Sequence, residues 1–160
     1  MGSKGLDTKF INLFLNSIER TFIKVFQCEL SLGQIYFMKN QLSEDNVAVM
    51  TGVIGNNYTG MVVYRMHNET AQRMIDFLNP DDIDSSNRIM TYESLGEIIN
   101  IISGNTMSRF SENNISLNIT TPSIIAGDTF ELFTLNQITL SADMLSPFGT
   151  MEIDLAIKHF

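Results

Sequence analysis

Between Ile11 and Val25 the apolar positions recur three and four residues apart: Ile11, Phe14, Leu15, Ile18, Phe22 and Val25. That spacing lays one apolar stripe along a helix. It predicts a first helix over residues 7–27, with Asp7 capping its start. ELSLGQIYF, Glu29 to Phe37, then reads as a strand. NVAVMTGVI and TGMVVYRM flank Gly55-Asn56-Asn57-Tyr58, and two β-rich runs around a Gly/Asn cluster predict a hairpin. NETAQRMIDFL reads as a short helix from Asn68 to Leu78, with Asn68 as cap and Pro80 just past its end. NPDDIDSSN is a polar loop. A second long helix is expected over residues 88–111. ISLNIT, a turn at Pro122, FELFTL, NQITLSADML and MEIDLAIKHF follow as strands. Strands joined by short turns pair antiparallel, so the pattern predicts an α+β fold: a largely antiparallel sheet with two long helices packed on it. No linker divides residues 1–160, which are expected to form a single domain, residues 1–5 being a loose end or cloning remnant.

The second long helix has two unlike faces. At roughly 100° per residue, Leu95, Ile98, Ile99 and Ile102 fall in one apolar arc. Glu93, Glu97, Asn100 and Gly104 gather on the opposite side, with Ile101 beside them. Glu97 and Asn100 are helix neighbours, so both side chains can reach one small target. The plain reading is a solvated helix surface. Yet Gly96 and Gly104 each weaken a helix by about 1 kcal/mol relative to Ala. A bare turn at Gly104 would let another backbone approach. A fainter pattern is an internal repeat, because the first helix carries Glu19-Arg20-Thr21-Phe22 where the second carries Glu97-Ile98-Ile99-Asn100.

Composition narrows the possibilities. The net charge of -8 repels phosphate backbones and argues against nucleic acid as a partner. The ten Met and eleven Phe, with no Trp, are taken as core filling. The single cysteine, Cys28, forms no internal disulfide and is expected to be a buried, inert thiol. His67 and His159 are far apart in sequence, so no Cys/His metal cluster is written in the chain. No run of about 18 apolar residues is present, so no membrane span is expected. Nor does a basic segment followed by an apolar stretch open the chain. A cytoplasmic protein is the expectation.

The segment GEIINIISGN, with Glu97 and Asn100, followed some twenty residues later by TTPSIIAGD with Pro122, resembles the CheC/CheX/FliY group of chemotaxis phosphatases. The opening helix and LSLGQIYF resemble the family's start as well. The family's CheC and FliY members carry two Glu-x-x-Asn motifs and CheX one. Phe22 stands where a first motif would need Asn, so the chain is most similar to CheX. The resemblance implies dephosphorylation of the aspartyl phosphate on a CheY-like receiver domain. It assigns Asn100 to positioning the attacking water and Glu97 to docking the receiver's active-site lysine. Glu93, Ile101 and Gly104 would meet the partner. No cofactor of its own is implied, since Mg²⁺ would be held by the receiver. A homodimer is also implied.

Two alternatives compete. A domain of this kind could capture a phosphorylated receiver without hydrolysing it; retention of the amide at Asn100 favours the enzyme. Separately, DIDSSNRIMTYE places Asp82, Asp84 and Ser86 at positions 1, 3 and 5, and Glu93 at position 12, of an EF-hand-like Ca²⁺ loop. Against it, the turn glycine is replaced by Asn87 and Pro80 interrupts the entering helix. Neither a Gly-Lys-Ser/Thr phosphate loop nor a Gly-x-Ser-x-Gly elbow is present.

Overall fold

The computed structural model describes residues 6–38, 42–43, 47–80, 88–128, 130–131 and 139–160. The first helix, α1 (Thr8–Phe26), begins where the Asp7 carboxylate accepts from the Phe10 N–H at 2.7 Å. Strands β1 (Ser31–Met38) and β2 (Leu42–Ser43) follow. The expected hairpin forms from β3 (Val47–Gly55) and β4 (Tyr58–Met66). Helix α2 (Asn68–Leu78) starts one residue after β4, so Asn68 already lies in the first helical turn and His67 takes the cap position expected for Asn68. The long helix, α3, spans Arg88–Glu112. After it come β5 (Leu117–Ile119), β6 (Ser123–Ala126), β7 (Phe130–Glu131), β8 (Thr139–Ser146) and β9 (Gly149–His159).

Every strand pair is antiparallel. The main sheet runs β1-β8-β9-β4-β3-β5, and β6 pairs with β3 beyond the end of β5. β2 and β7 form a separate two-stranded sheet. The α+β class and the antiparallel sheet are as the sequence predicts. The short helix makes three helices in all among the described residues, and β6 appears where only a turn was expected. Of the expected strand FELFTL, Phe130 and Glu131 are in β7; residues 132–135 lie outside the described ones, as does 81–87, which holds the first half of the proposed Ca²⁺ loop. The loop's last six positions, Arg88 to Glu93, are already helical.

Alternation along the strands decides which side chains meet the helices. Val47, Val49 and Val53 of β3, Val62, Tyr64 and Met66 of β4, and Ile153, Leu155 and Ile157 of β9 face one way. They are covered by Phe10, Phe14, Ile18 and Phe22 of α1 and by Leu95, Ile98, Ile99 and Ile102 of α3. Phe10, Phe14 and Phe110 stack between the two long helices, with ring centroids 4.8–6.5 Å apart. Phe22 packs on Phe26 within this layer, so the first frame of the faint repeat carries a core residue and no polar pair. Cys28 is half-buried at the edge of the core instead of fully enclosed; what burial it has pushes its thiol pKa up, away from nucleophilic behaviour.

The opposite side of the sheet holds a buried ion network. Register builds it: Arg65 lies directly across from Glu152, and Asp154 directly across from Ser141. The Arg65 guanidinium donates to Asp154 through Nε at 2.7 Å and Nη2 at 3.1 Å, and it also pairs with Glu152. Ser141 donates to Asp154 at 2.6 Å, and the Tyr36 hydroxyl donates to Glu152. Burial and the neighbouring Glu152 push the Tyr36 pKa up, which keeps it a donor. Arg65 and Asp154 are 2% and 3% exposed, so neither charge can turn to water when its partner is lost. Removing one member of a buried pair costs roughly 3–5 kcal/mol. Arg65→Met is therefore expected to lower unfolding free energy by about that amount in urea denaturation. A loss below about 1 kcal/mol would mean that the carboxylates are stabilised by other groups.

Candidate functional site

Helix α3 lies with its apolar stripe on the sheet: Leu95, Ile99 and Ile102 have no exposed surface and Ile98 almost none. Ile23 of α1 shows that exposed apolar side chains are not confined to this helix, but Ile101, half exposed, stands out by its neighbours. Glu93, Glu97 and Asn100 are all exposed on the same side of α3. Among the described residues neither Glu97 nor Asn100 has a hydrogen-bond or ion-pair partner, so both side chains are available to another molecule. Gly104 continues this row one turn on, and a Cβ built there would meet nothing within 4 Å. The glycine is thus not required by packing inside the chain. The structure brings Glu93, Glu97, Asn100, Ile101 and Gly104 together on one helix face, as the sequence predicts.

A polar hydrogen bond helps hold that face outward. Ser103, one turn beyond Asn100, meets the Tyr64 hydroxyl of β4 at 2.9 Å, with both groups buried. Burial pushes the Tyr64 pKa up to about 12, so the phenol stays neutral. The contact ties the core side of α3 to the middle of the sheet.

Beside the polar face lies an open groove of about 590 Å³. Tyr92, Glu93, Gly96, Glu97 and Asn100 of α3 make one wall. Thr121, Pro122 and Ile124 make the other. The second wall exists because β5 and β6 share one edge strand. β5 pairs with residues 53–55 of β3 and β6 with residues 47–50. Between them Thr120 is bound to β3: its N–H donates to the Gly52 carbonyl at 3.0 Å, and its hydroxyl accepts from the Gly52 N–H at 2.8 Å. Thr51 donates to the Thr120 carbonyl at 2.8 Å. Pro122 has no N–H for the ladder, so pairing breaks there and resumes at Ser123. Sequence reasoning found Pro122 as a motif but missed Tyr92, Thr121 and Ile124 as part of the site. The only available signal was the short apolar run Ile124–Ile125, too brief to be read as a strand.

Glu93, position 12 of the EF-hand-like pattern, lines this groove. Among the described residues no cluster of three His, Cys, Asp or Glu side chains could hold a metal ion.

The fold has counterparts among known proteins. A family model described as chemotaxis phosphatase CheX matches residues 47–142. No curated protein sequence matches the chain. Among solved structures, a chemotaxis protein CheX from Desulfovibrio desulfuricans superposes with a TM-score of 0.79 at 20% identity, covering 91% of this chain and 97% of that one. A CheC-like superfamily protein from Shewanella sp. PV-4 gives 0.82 at 18% identity, covering 95% and 99%. A complex of CheX with CheY, BeF3 and Mg²⁺ from Borrelia burgdorferi gives 0.76 at 23% identity, covering 93% and 97%.

The Tyr64–Ser103 contact can be tested asymmetrically. Ser103→Ala leaves a buried phenol unpaired and is expected to cost about 1–3 kcal/mol of stability. Tyr64→Phe leaves a serine that can bond to the helix carbonyl one turn back, and is expected to cost less than Ser103→Ala in the same thermal melts. The reverse order would show that the phenol is not anchored by this helix.

Proposed function

The chain belongs to the chemotaxis phosphatase CheX family, and on that footing we propose that it hydrolyses the aspartyl phosphate of a CheY-like receiver domain. The observation that carries this reading is the pair Glu97 and Asn100, exposed and, among the described residues, unpartnered on a helix whose other face is locked into the core. An acyl phosphate is already reactive, so the protein need not supply a strong base. Phosphoryl transfer depends chiefly on positioning and electrostatics.

Asn100 supplies the positioning. Its carboxamide accepts from and donates to a water, holding the oxygen in line with the phosphorus. Water's oxygen bonds to phosphorus as the bond to the aspartate oxygen breaks. The water's protons end on the phosphate and bulk solvent, and the aspartate leaves as a carboxylate. A carboxylate in place of the amide would repel the phosphoryl oxygens. Glu97 carries the charge instead, and pairs with the receiver's active-site lysine to dock and orient it. Mg²⁺ would come with the receiver, held by the receiver and not by this chain. Glu93, Ile101 and Gly104 extend the contact along α3, the missing side chain at Gly104 admitting the partner's backbone.

The homodimer implied by the family has a candidate surface at the sheet edge. β1 is an outer strand, and Leu32, Ile35 and Phe37 on it are exposed. An apolar edge strand invites pairing with a second copy. Sedimentation equilibrium is then expected to give twice the 18.0 kDa chain mass, and a monomer at micromolar concentrations would overturn the dimer.

Phosphate release from a panel of receiver domains, phosphorylated with acetyl phosphate in Mg²⁺ buffer, tests the activity. Asn100→Ala is expected to lose about two to three orders of magnitude in kcat while still binding the receiver. Glu97→Ala is expected to act mainly through KM. Wild-type turnover by Asn100→Ala would refute the assignment. A wild-type protein that binds phosphorylated receivers but releases no phosphate would make the chain a capture module.

A further inference from the structure

The groove beside Asn100 is larger than one lysine side chain fills, and the roles given to Glu97 and Asn100 leave most of it unused. Its chemistry is mixed. Tyr92, Pro122 and Ile124 present apolar surface, while Glu93 and Glu97 stand one helical turn apart at the rim. A purely cationic group would leave the apolar walls bare to water. A purely apolar one would leave two adjacent carboxylates without a counter-charge. The groove also opens onto Asn100, so whatever fills it sits next to the group proposed to hold the water.

We propose that this groove is the specificity pocket for the receiver: it takes a partner segment that presents a cationic side chain beside an apolar one. This rests on the phosphatase reading above and adds the residues that select the partner. Glu93 holds the second cationic contact. The apolar side chain lies between Tyr92 and Ile124, on Gly96. Gly96 is what keeps the groove open. Tyr92, Gly96 and Asn100 are spaced four apart, so they form one ridge of α3 facing the second wall. At Gly96 that ridge is cut away; a Cβ there would already stand 3.4 Å from the Ile124 Cδ1. A longer side chain would bridge the two walls. Internal packing alone does not demand the glycine, since 3.4 Å is an ordinary van der Waals approach. The helix forgoes about 1 kcal/mol relative to Ala to leave this gap. Docking would therefore use both flanks of the Glu97–Asn100 row, the groove on one side and Ile101 on the other, with Gly104 extending the row itself.

Gly96→Met tests this. Methionine is a good helix former and flexible enough to lie in the groove without displacing β6. The assay uses whichever receiver is the best substrate in the phosphate-release panel, with binding measured separately by calorimetry on that receiver charged with beryllofluoride. Gly96→Met is expected to keep or raise the melting temperature, to raise KM about tenfold and to leave kcat within about twofold. Tyr92→Ala, which opens the groove instead of filling it, is expected to raise KM in the same direction. Glu93→Gln is expected to raise KM less and to flatten its dependence on salt. Unchanged KM and affinity in Gly96→Met and Tyr92→Ala, with Asn100→Ala inactive, would overturn the groove assignment and leave the phosphatase reading intact. Wild-type turnover by Asn100→Ala would overturn the phosphatase reading itself. A change of oligomeric mass in Gly96→Met would make the groove a contact between copies, and would overturn the proposal as well.

Discussion

The rotation of α3 about its own axis is the constraint on which the site depends. Leu95, Ile98, Ile99 and Ile102 are all in the core, and the Ser103 hydroxyl meets the Tyr64 phenol in the middle of the sheet. A shift of one residue in helix rotation is about 100°. Such a shift would bury Glu97 or Asn100 and expose an isoleucine, losing apolar burial and stranding the phenol together. Apolar burial supplies most of the energy. The hydrogen bond adds direction, because a buried donor left unpaired is penalised more sharply than a sliding methyl group. Asn100 is thereby aimed outward by residues that are themselves buried in the core.

The sheet separates two kinds of polar chemistry. On the face away from the helices, Arg65, Asp154, Glu152, Ser141 and Tyr36 satisfy one another in a network set by strand register. On the outer surface of α3, Glu97 and Asn100 have no partner among the described residues. The first arrangement makes the central strands hard to slip, since a one-residue slip would turn Arg65 into the apolar layer. The second leaves Glu97 and Asn100 free to spend their hydrogen-bonding capacity on another molecule. A rigid platform and an unsatisfied face are complementary requirements, and each is met by a different side of the structure.

Much of this was legible in the sequence because it is periodic. The stripe from Leu95 to Ile102 and its polar complement follow from helix geometry alone, and the β3–β4 hairpin follows from alternating runs around Gly55-Asn56-Asn57. What periodicity could not show is pairing over long distance. β6 is four residues long and follows a proline, so locally Ser123–Ala126 looked like the tail of a turn. It becomes a strand only because β3 offers it an unpaired edge beyond the end of β5. The second wall of the groove hangs on that pairing, and so periodicity could not join Thr121 and Ile124 to Asn100; Tyr92, two turns back on the same helix, gained a role only once that wall was in place. The helix cap was misplaced by one residue for a related reason: β4 runs on to Met66, and the short connection hands the cap to His67.

The two glycines of α3 then acquire a common physical sense. Neither sits in a conformation that demands glycine, and neither is squeezed by a neighbour to the point of clash: a side chain at Gly104 would enter open space, and one at Gly96 would only touch Ile124. Each nevertheless weakens a helix whose orientation matters. Internal packing therefore gives no reason to keep them. Surface shape does, because a helix lined with side chains holds another backbone at a distance and one bared at two glycines does not. Gly96 and Gly104 lower the surface on either side of Asn100 along the ridge. The Asn100 amide then projects between two turns of the helix that carry no side chain on that ridge.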